Sequence, residues 1–409
     1  MSKLAAAPSA ASPPAPALLT RAQEWALAVV IAVVTANAYY IHPIIGLVAE
    51  GFGVGTAAIG LVPALNQIGL ALGIVLLLPL GDFYSNRHLC LIFVAAQTLC
   101  LAGMVLADDL VLFTAASTLL GFVTIAPYLI PAYASRRVAP ERLGQVTALL
   151  TAAVIFGILV ARLGAGVIAE LADWHSVYVI ALGLMVGATA LLAATMRREP
   201  AAPRPGGAHY GALVASVFTL AARNPDMRLS AAIQGLNFAI FTATWLALAL
   251  HLTSPALGYG TDEVGYLAAV AAVSVFATPR LGRWADRVGA HRARLVAALV
   301  QLAGIALLYP LGSSIWGVLA SLVLTNAVGP TIDVTGRMTL FTRESEIRTR
   351  LTSGYIMAMF LGGALGSALG TAVFASHGWA GTCALLLALS AGVTGLSWQA
   401  ARRWRRLEG

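Results

Sequence analysis

The sequence predicts an all-α integral membrane protein whose twelve transmembrane helices form two pseudo-symmetric bundles of six. Three observations lead to this prediction. Hydrophobic residues make up 59% of the chain and charged residues 10%, apolar runs of spanning length recur throughout, and marker residues of the first half reappear in the second. Water-soluble domains carry a charged fraction of about 25%, so the predicted solvent of this chain is lipid.

Twelve apolar runs each approach the ~20 residues that a spanning helix needs. The predicted helices are 24–46, 56–80, 88–106, 110–134, 143–170, 175–196, 229–251, 263–280, 293–311, 315–340, 351–375 and 379–401. Residues 23–196 then form an N-terminal six-helix bundle, and residues 229–401 form a C-terminal one.

The remaining segments are predicted to be tails and a linker. Residues 1–22 are rich in Pro, Ala and Ser and have too little hydrophobicity to fold alone, which predicts a disordered cytoplasmic tail. Pro and Gly mark 197–228 as a cytoplasmic linker, in which 210–224 is a candidate amphipathic helix at the membrane surface. Residues 402–409 form a basic cytoplasmic tail.

Charge alternates between the loops. The loops after odd-numbered helices contain no Lys or Arg, and four of them carry acidic residues, whereas the other loops and the C-terminal tail are rich in arginine. The positive-inside rule then places both termini in the cytoplasm of a multi-pass inner-membrane protein. Because the basic residues lie in loops and not along one face, we expect no nucleic-acid partner. Cys90, Cys100 and Cys383 fall inside predicted helices, which implies neither a disulfide framework nor a metal site.

Three pairs of residues recur at nearly one offset. Asp82 and Asp286 lie 204 positions apart (286 − 82), and Trp174 and Trp379 lie 205 apart (379 − 174). Arg142 and Arg348, each before the fifth helix of its half, lie 206 apart (348 − 142). Such a repeat is the pattern of transporters built from duplicated bundles.

At these positions the chain resembles the major facilitator superfamily over nearly its whole length. The superfamily's loop motif has a glycine, three residues, an aspartate, a basic residue, one residue, a second glycine and then two basic residues. The matching residues are Gly282, Asp286, Arg287 and Gly289 in the second copy and Asp82 and Arg87 in the first. The resemblance implies the major facilitator fold and a role for these residues as a conformational latch. "NAYYIHP" and "GILVAR" further resemble bacterial drug and metabolite efflux permeases of the drug:proton antiporter type.

In the superfamily, helices 1, 4, 7 and 10 line a central cavity, and here these helices carry polar and aromatic residues at helical spacing. For each residue, a hydrogen bond to a neighbouring helix remains the alternative to substrate binding. The candidate substrate-binding residues, with Arg162 of helix 5, are Asn37, Tyr40, His42, Thr124, Tyr128, Arg162, Gln234, Asn237, Phe241, Trp245 and Asn326.

Arg162 is the most unusual of these residues, because a charged side chain at bilayer depth costs roughly 2.5–3.5 kcal/mol on insertion scales. Its helical phase turns it away from the close-packing stripe, toward the bundle interior or a neighbouring helix, and His42 is expected at its depth. The sequence offers no acid there. Arg162 is therefore held by carbonyl and amide groups, or it binds an anionic group of a substrate.

Asp333 in helix 10 is the candidate for proton coupling, since a desolvated carboxyl group can take up a proton. Arg337 lies one turn away, so a structural ion pair is the alternative. In helix 11, Gly362, Gly366 and Gly370 predict close helix packing, and the resemblance implies that the bundles rock about such an interface.

The predicted function is secondary active transport of a small organic compound by alternating access, as proton-coupled efflux. The alternatives are an importer or uniporter of a small organic anion and a non-transporting membrane receptor. The sequence has no HExxH motif, no Gly-x-Ser-x-Gly elbow and no phosphate-binding loop, which argues against an enzyme or an ATP-driven pump. We expect no catalytic residue, cofactor or metal. The expected partners are the substrate, protons and the lipid bilayer, with the protein a monomer.

Overall fold

The computed structural model describes residues 18–197, 209–341 and 345–408, and every regular element within these ranges is a helix. Most of the predicted N-terminal tail (1–17), the middle of the predicted linker (198–208) and residue 409 lie outside the described residues.

Six spans form the N-terminal half. They are α1 (Arg21–Gly51), α2 (Thr56–Asp82), α3 (Asn86–Val105), α4 (Leu110–Ser135), α5 (Pro140–Leu171) and α6 (Trp174–Thr195). In the C-terminal half, α7 (Pro225–Leu252), α8 (Thr261–Thr278 with Arg280–Val288, bent by 44°), α9 (Ala290–Leu311) and α10 (Ile315–Thr339) follow.

The last helical stretch, Arg350–Arg406, has 57 residues. As one straight helix it would extend about 85 Å, nearly three times the hydrocarbon thickness of a bilayer. Gly378, with φ 60° and ψ −154°, interrupts it. It therefore contains two spans, α11 (350–377) and α12 (379–406). With these two counted separately, the described residues contain the twelve predicted spans.

The two ends of the bundle differ in charge. One end carries Glu50, Asp109 and Asp173 and is called the acidic end; the other carries Arg87 and Arg287 and is called the basic end. Two of the acids begin helices: Asp109 accepts a hydrogen bond from the Leu112 amide (2.8 Å), and Asp173 accepts one from the Ser176 amide (2.6 Å). Aspartate at this position satisfies an amide that the helix itself leaves without a partner.

Two spans are broken near their middles. The first piece of α1 ends at Ala36 and its second begins at Ile41, and α4 is interrupted at Thr124 and Ile125. The sequence did not predict either break. The predicted loop 281–292 also differs, because α8 continues helically to Val288 through the loop motif. The turn is made by Gly289, whose φ of 90° suits glycine.

Equivalent contacts recur in the two halves. Trp174 packs on Phe52 at the end of α1 (ring centroids 5.4 Å), and Trp379 stacks on His251 at the end of α7 (4.2 Å). Gln97 donates to the carbonyl of Val34 in α1, and Gln301, 204 positions later (301 − 97), donates to Asn237 in α7. These contacts support the duplication read from the sequence.

The predicted glycine interface lies within the C-terminal half and not between the halves, which corrects its assignment as the interface about which the bundles rock. Gly362 and Gly366 of α11 face the backbones of Gly235 and Ala239 of α7. Between the halves, Gly166 of α5 faces the backbone of α8 at the acidic end, and α2 packs against α11 in a buried cluster that includes Leu70, Ile74 and Phe360.

A short helix, Tyr210–Arg223, follows the undescribed part of the linker. The Tyr210 hydroxyl donates to the carbonyl of Leu76 in α2, and Val217 lies beside Gly354 of α11. This helix therefore contacts both halves at the basic end.

Candidate functional site

Arg162 lies in the interior of the bundle, one of the two positions that its helical phase predicted, with 1% of its surface exposed. Its Nη2 donates to Nδ1 of His42 at 2.9 Å, which also confirms the predicted depth of His42. Its Nε and Nη1 are buried and have no hydrogen-bond partner in the part of the chain that the structure describes. Among the described side chains, no ion pair includes Arg162.

Three aromatic rings surround the guanidinium group. Its carbon atom Cζ lies 4.2 Å from the ring centroid of Trp245, 4.6 Å from that of Phe241 and 5.5 Å from that of Tyr39. The negative face of an aromatic ring attracts a cation, most strongly where water is excluded. We call Tyr39, His42, Phe241 and Trp245 around Arg162 the arginine cage.

The cage is built from both halves of the molecule. Tyr39 lies in the break of α1 and His42 just after it, Arg162 comes from α5, and Phe241 and Trp245 come from α7. On its acidic-end side, the cage is followed by the contact of α5 with α8. There the Thr261 hydroxyl donates to the carbonyl of Gly166 at 3.1 Å.

An aromatic surface continues from the cage toward α11. Phe238 stacks on Phe241 (centroids 5.3 Å, 18° between planes) and meets Phe360 edge-on at 5.6 Å. Gln67 of α2 lies near Gly363, and its Oε1 is buried without a partner.

Asp333 is ion-paired, as the structural alternative predicted. The Nε of Arg337 lies 3.0 and 3.1 Å from its two carboxylate oxygens, and the Tyr355 hydroxyl donates to Oδ1 at 3.0 Å. The two charged side chains are 26% and 30% exposed. The cluster therefore joins α10 to α11 and carries no net charge, and the substrate-site candidate Tyr128 packs against the hydrophobic cluster that contains Tyr355.

The remaining polar candidates bond within their own halves. Asn237 donates to Gln234 (3.1 Å) and to the carbonyl of Gly329 (3.3 Å). Thr124, Asn37 and Asn326 each donate to carbonyl groups of their own helices, and Tyr40 is buried in the large hydrophobic core. The structure does not bring these six residues into the cage.

The latch residues lie at the basic end. Asp82, Asp286 and Arg287 are exposed, and the Nε of Arg87 donates to the carbonyl of Met196 within its own half (2.7 Å). Gly282 has open space where a Cβ would stand, and Gly289 makes the α8–α9 turn described above.

Sequence reasoning missed a contact between the halves. One carboxylate oxygen of Glu170, at the end of α5, accepts hydrogen bonds from the amide and the hydroxyl of Thr261, both at 3.1 Å. Thr261 begins α8, and a carboxylate is stabilised at a helix N-terminus. The signals were an acid at the end of predicted helix 5 and a threonine just before predicted helix 8.

Comparison with known proteins gives a consistent result. The sequence model of the Major Facilitator Superfamily matches residues 27–346. The uncharacterized transporter YgaY of Escherichia coli O157:H7 is 27% identical over 353 residues, 85% of this chain and 88% of its own length. A probable transporter of Streptomyces coelicolor, SCO4007, is 29% identical over 366 residues, 88% and 83% of the two chains. The crystal structure of the nucleoside transporter NupG superposes with a TM-score of 0.73 at 13% identity, over 93% of this chain and 99% of that one.

Proposed function

The chain belongs to the Major Facilitator Superfamily, and from that premise we propose that it exports a small organic compound across the bacterial inner membrane in exchange for protons. Membership makes it a multi-pass membrane transporter and not an enzyme. The substrate site of the proposal is the arginine cage, and the mechanism is alternating access.

One observation carries the site assignment: residues of both halves converge on a single buried arginine. Tyr39 and Arg162 belong to the N-terminal half, and Phe241 and Trp245 belong to the C-terminal half. Any rocking of one half against the other must therefore separate these groups and admit water or substrate. A site between two repeats is what alternating access requires.

The charge distribution supports the proposed orientation. Arginine-rich loops favour the cytoplasm, which places the basic end inside. The halves meet at the acidic end through Glu170 and Thr261, whereas Asp333 and Arg337 retain 26% and 30% exposure. In this arrangement the cage is closed from the outside.

Asp333 is the proposed proton carrier. Protonation would remove its charge, release Arg337 and loosen the link from α10 to Tyr355 of α11. A proton could in this way change how the spans of the C-terminal half pack.

Alternating access is tested by labelling from the two sides of the membrane. In a protein whose Cys90, Cys100 and Cys383 are replaced, Phe241→Cys is treated with a membrane-impermeant maleimide from either side. We expect reaction from both sides, because the cage opens to each in turn. Asp108→Cys, in an exposed loop at the acidic end, is the control and reacts from the outside alone. Reaction of Phe241→Cys from one side only contradicts the mechanism.

Coupling is tested in proteoliposomes with an imposed pH gradient. In Asp333→Asn, counterflow of a transported compound should persist, because it needs no proton. The increase in net flux that the pH gradient causes in the wild type should be lost. Flux that follows the substrate gradient alone in the wild type would identify a uniporter, and flux directed inward by protons would identify an importer.

A further inference from the structure

We propose that the transported compound is an organic anion: a carboxylate carried on a flat, apolar ring system. This inference rests on the proposed function, because it names the substrate class of the arginine cage. It is argued from the charge balance of the cage, from its free hydrogen-bond donors and from its aromatic faces.

The region between the halves carries an unbalanced positive charge. Asp333 and Arg337 neutralise each other. Two further ion pairs, Glu24 with Arg142 and Asp226 with Arg403, do not include Arg162, which has no acid partner among the described side chains. A buried charge without a counter-charge is costly. An anionic substrate removes this cost, whereas a cationic substrate adds to it.

The buried hydrogen-bonding groups of the cage that lack a partner among the described residues are all donors. An arginine side chain can only donate, so Nδ1 of His42 must accept from Arg162, and the ring proton of His42 then lies on Nε2. That Nε2 is buried without a partner, as are Nε and Nη1 of Arg162. A ligand that satisfies these groups must present acceptors. A carboxylate presents two in one plane, the geometry that a guanidinium group binds best.

The aromatic rings select a flat body and exclude an organic cation. Rings arranged like Tyr39, Phe241 and Trp245 commonly hold an ammonium group, but here the protein's own guanidinium occupies that position. From Phe241, the stacked Phe238 and then Phe360 extend an apolar surface away from the charge. A ring system joined to a carboxylate on Arg162 would lie along this surface.

The test compares three probes on the purified protein in detergent: naphthalene-2-carboxylate, its neutral carboxamide, and a naphthylmethyl trimethylammonium salt. Thermal unfolding is followed as each is titrated. We expect the carboxylate to raise the melting temperature saturably, the carboxamide to bind about tenfold or more weakly, and the cation to give no shift. This comparison needs no variant. Stabilisation by the cation, equal stabilisation by the carboxamide, or no stabilisation by the carboxylate overturns the proposal.

Variants then assign the effect to the cage. Arg162→Gln should lose the carboxylate response by about tenfold or more, and Arg162→Lys should retain part of it, since the charge stays and the planar fork is lost. Arg294→Gln is the matched control, because Arg294 is equally buried (1% exposed) and bonds to Ser230 of α7 outside the cage. It should lower stability and keep the carboxylate response. An unchanged response in folded Arg162→Gln contradicts the assignment.

The binding and labelling experiments fail independently. If Phe241→Cys is labelled from both sides but the carboxylate does not bind, alternating access is supported and the anionic substrate is ruled out. If the carboxylate binds but Phe241→Cys is labelled from one side only, the anion site is supported and alternating access is ruled out.

Discussion

Individual charged residues inside the bundle are stabilised in two different ways. Asp333 and Arg337 form an ion pair, and Asp333 also accepts a hydrogen bond from the Tyr355 hydroxyl. Arg162 has one histidine nitrogen and three ring faces. The first arrangement is complete within the protein, whereas the second leaves donors without acceptors. This difference is why the ion pair is assigned to structure and coupling, and the lone arginine to substrate.

The Asp333–Arg337 pair predicts a measurable coupling energy. Asp333→Asn or Arg337→Gln alone leaves one charge without its partner, so each should lower the free energy of unfolding. The double variant should lose less than the sum of the two. Because both side chains are about a quarter to a third exposed, we expect a coupling of only about 1 kcal/mol. A double-mutant cycle in denaturant unfolding measures it, and strictly additive losses contradict the pair.

For single residues, the sequence predicted side-chain contacts within one helix and missed the contacts between helices. The i,i+4 spacing predicted the pairing of Asp333 with Arg337, and helical phase predicted that Arg162 faces away from the close-packing stripe. Tyr355 could not be predicted as a partner, because nothing in the sequence records the rotation of α11 against α10. Tyr39 reaches the cage because α1 is broken at 37–40. Pro43 has no amide to donate to the carbonyl of Tyr39 and so favours this break, a signal that the sequence analysis did not use.

Among the helices, the contact of α7 with α11 depends most directly on residue size. The backbones of Gly235 and Ala239 stand where side chains at Gly362 and Gly366 would project. In the N-terminal half, Gly157 of α5 faces Ala32 of α1 in the same way. The glycine spacing predicted a close helix contact, but the partner helix follows only from the assembled bundle.

Gly362→Val should therefore be strongly destabilising. The added side chain meets backbone atoms of Gly235, which cannot move aside without separating α11 from α7, and such overpacking costs typically about 1–3 kcal/mol. Gly187→Val, on α6 where a Cβ meets nothing, is the control and should be nearly neutral. Unfolding midpoints of the two purified variants give the comparison, and equal losses would show that helix propensity, not the contact, is responsible.

In the molecule as a whole, the two halves meet at the acidic end through α5 and α8, and α2 packs against α11 in a buried cluster that includes Ile74 and Tyr355. Glu170 accepts two hydrogen bonds from Thr261 at the first turn of α8, and the backbones of Gly166 and Gly265 touch beside it. The duplication and the number of spans could be read from the sequence because they follow from periodic composition. The sequence could not predict which end is closed, because in alternating access the same chain also forms the state that is closed at the other end.

Glu170→Ala should shift the population toward molecules that are open at the acidic end. Hydrogen bonds to a charged group contribute roughly 1.5–3 kcal/mol, which corresponds to at least about a tenfold change in the equilibrium. Maleimide labelling of Phe241→Cys from the acidic side should accelerate accordingly. Glu50→Ala, an exposed acid at the same end, is the control, and an unchanged labelling rate in Glu170→Ala argues against this contact as the closure.

The lone charge of Arg162 has an electrical consequence. A membrane potential of 100 mV is worth about 2.3 kcal/mol for each elementary charge that crosses it. In the proposed exchange the carrier returns without substrate and with a proton on Asp333, so it presents positive charge between its halves, whereas the carrier loaded with a carboxylate presents none. Voltage therefore acts on the return of the protonated carrier and leaves the substrate-loaded step unaffected, so an inside-negative membrane speeds the return and with it the start of the next cycle.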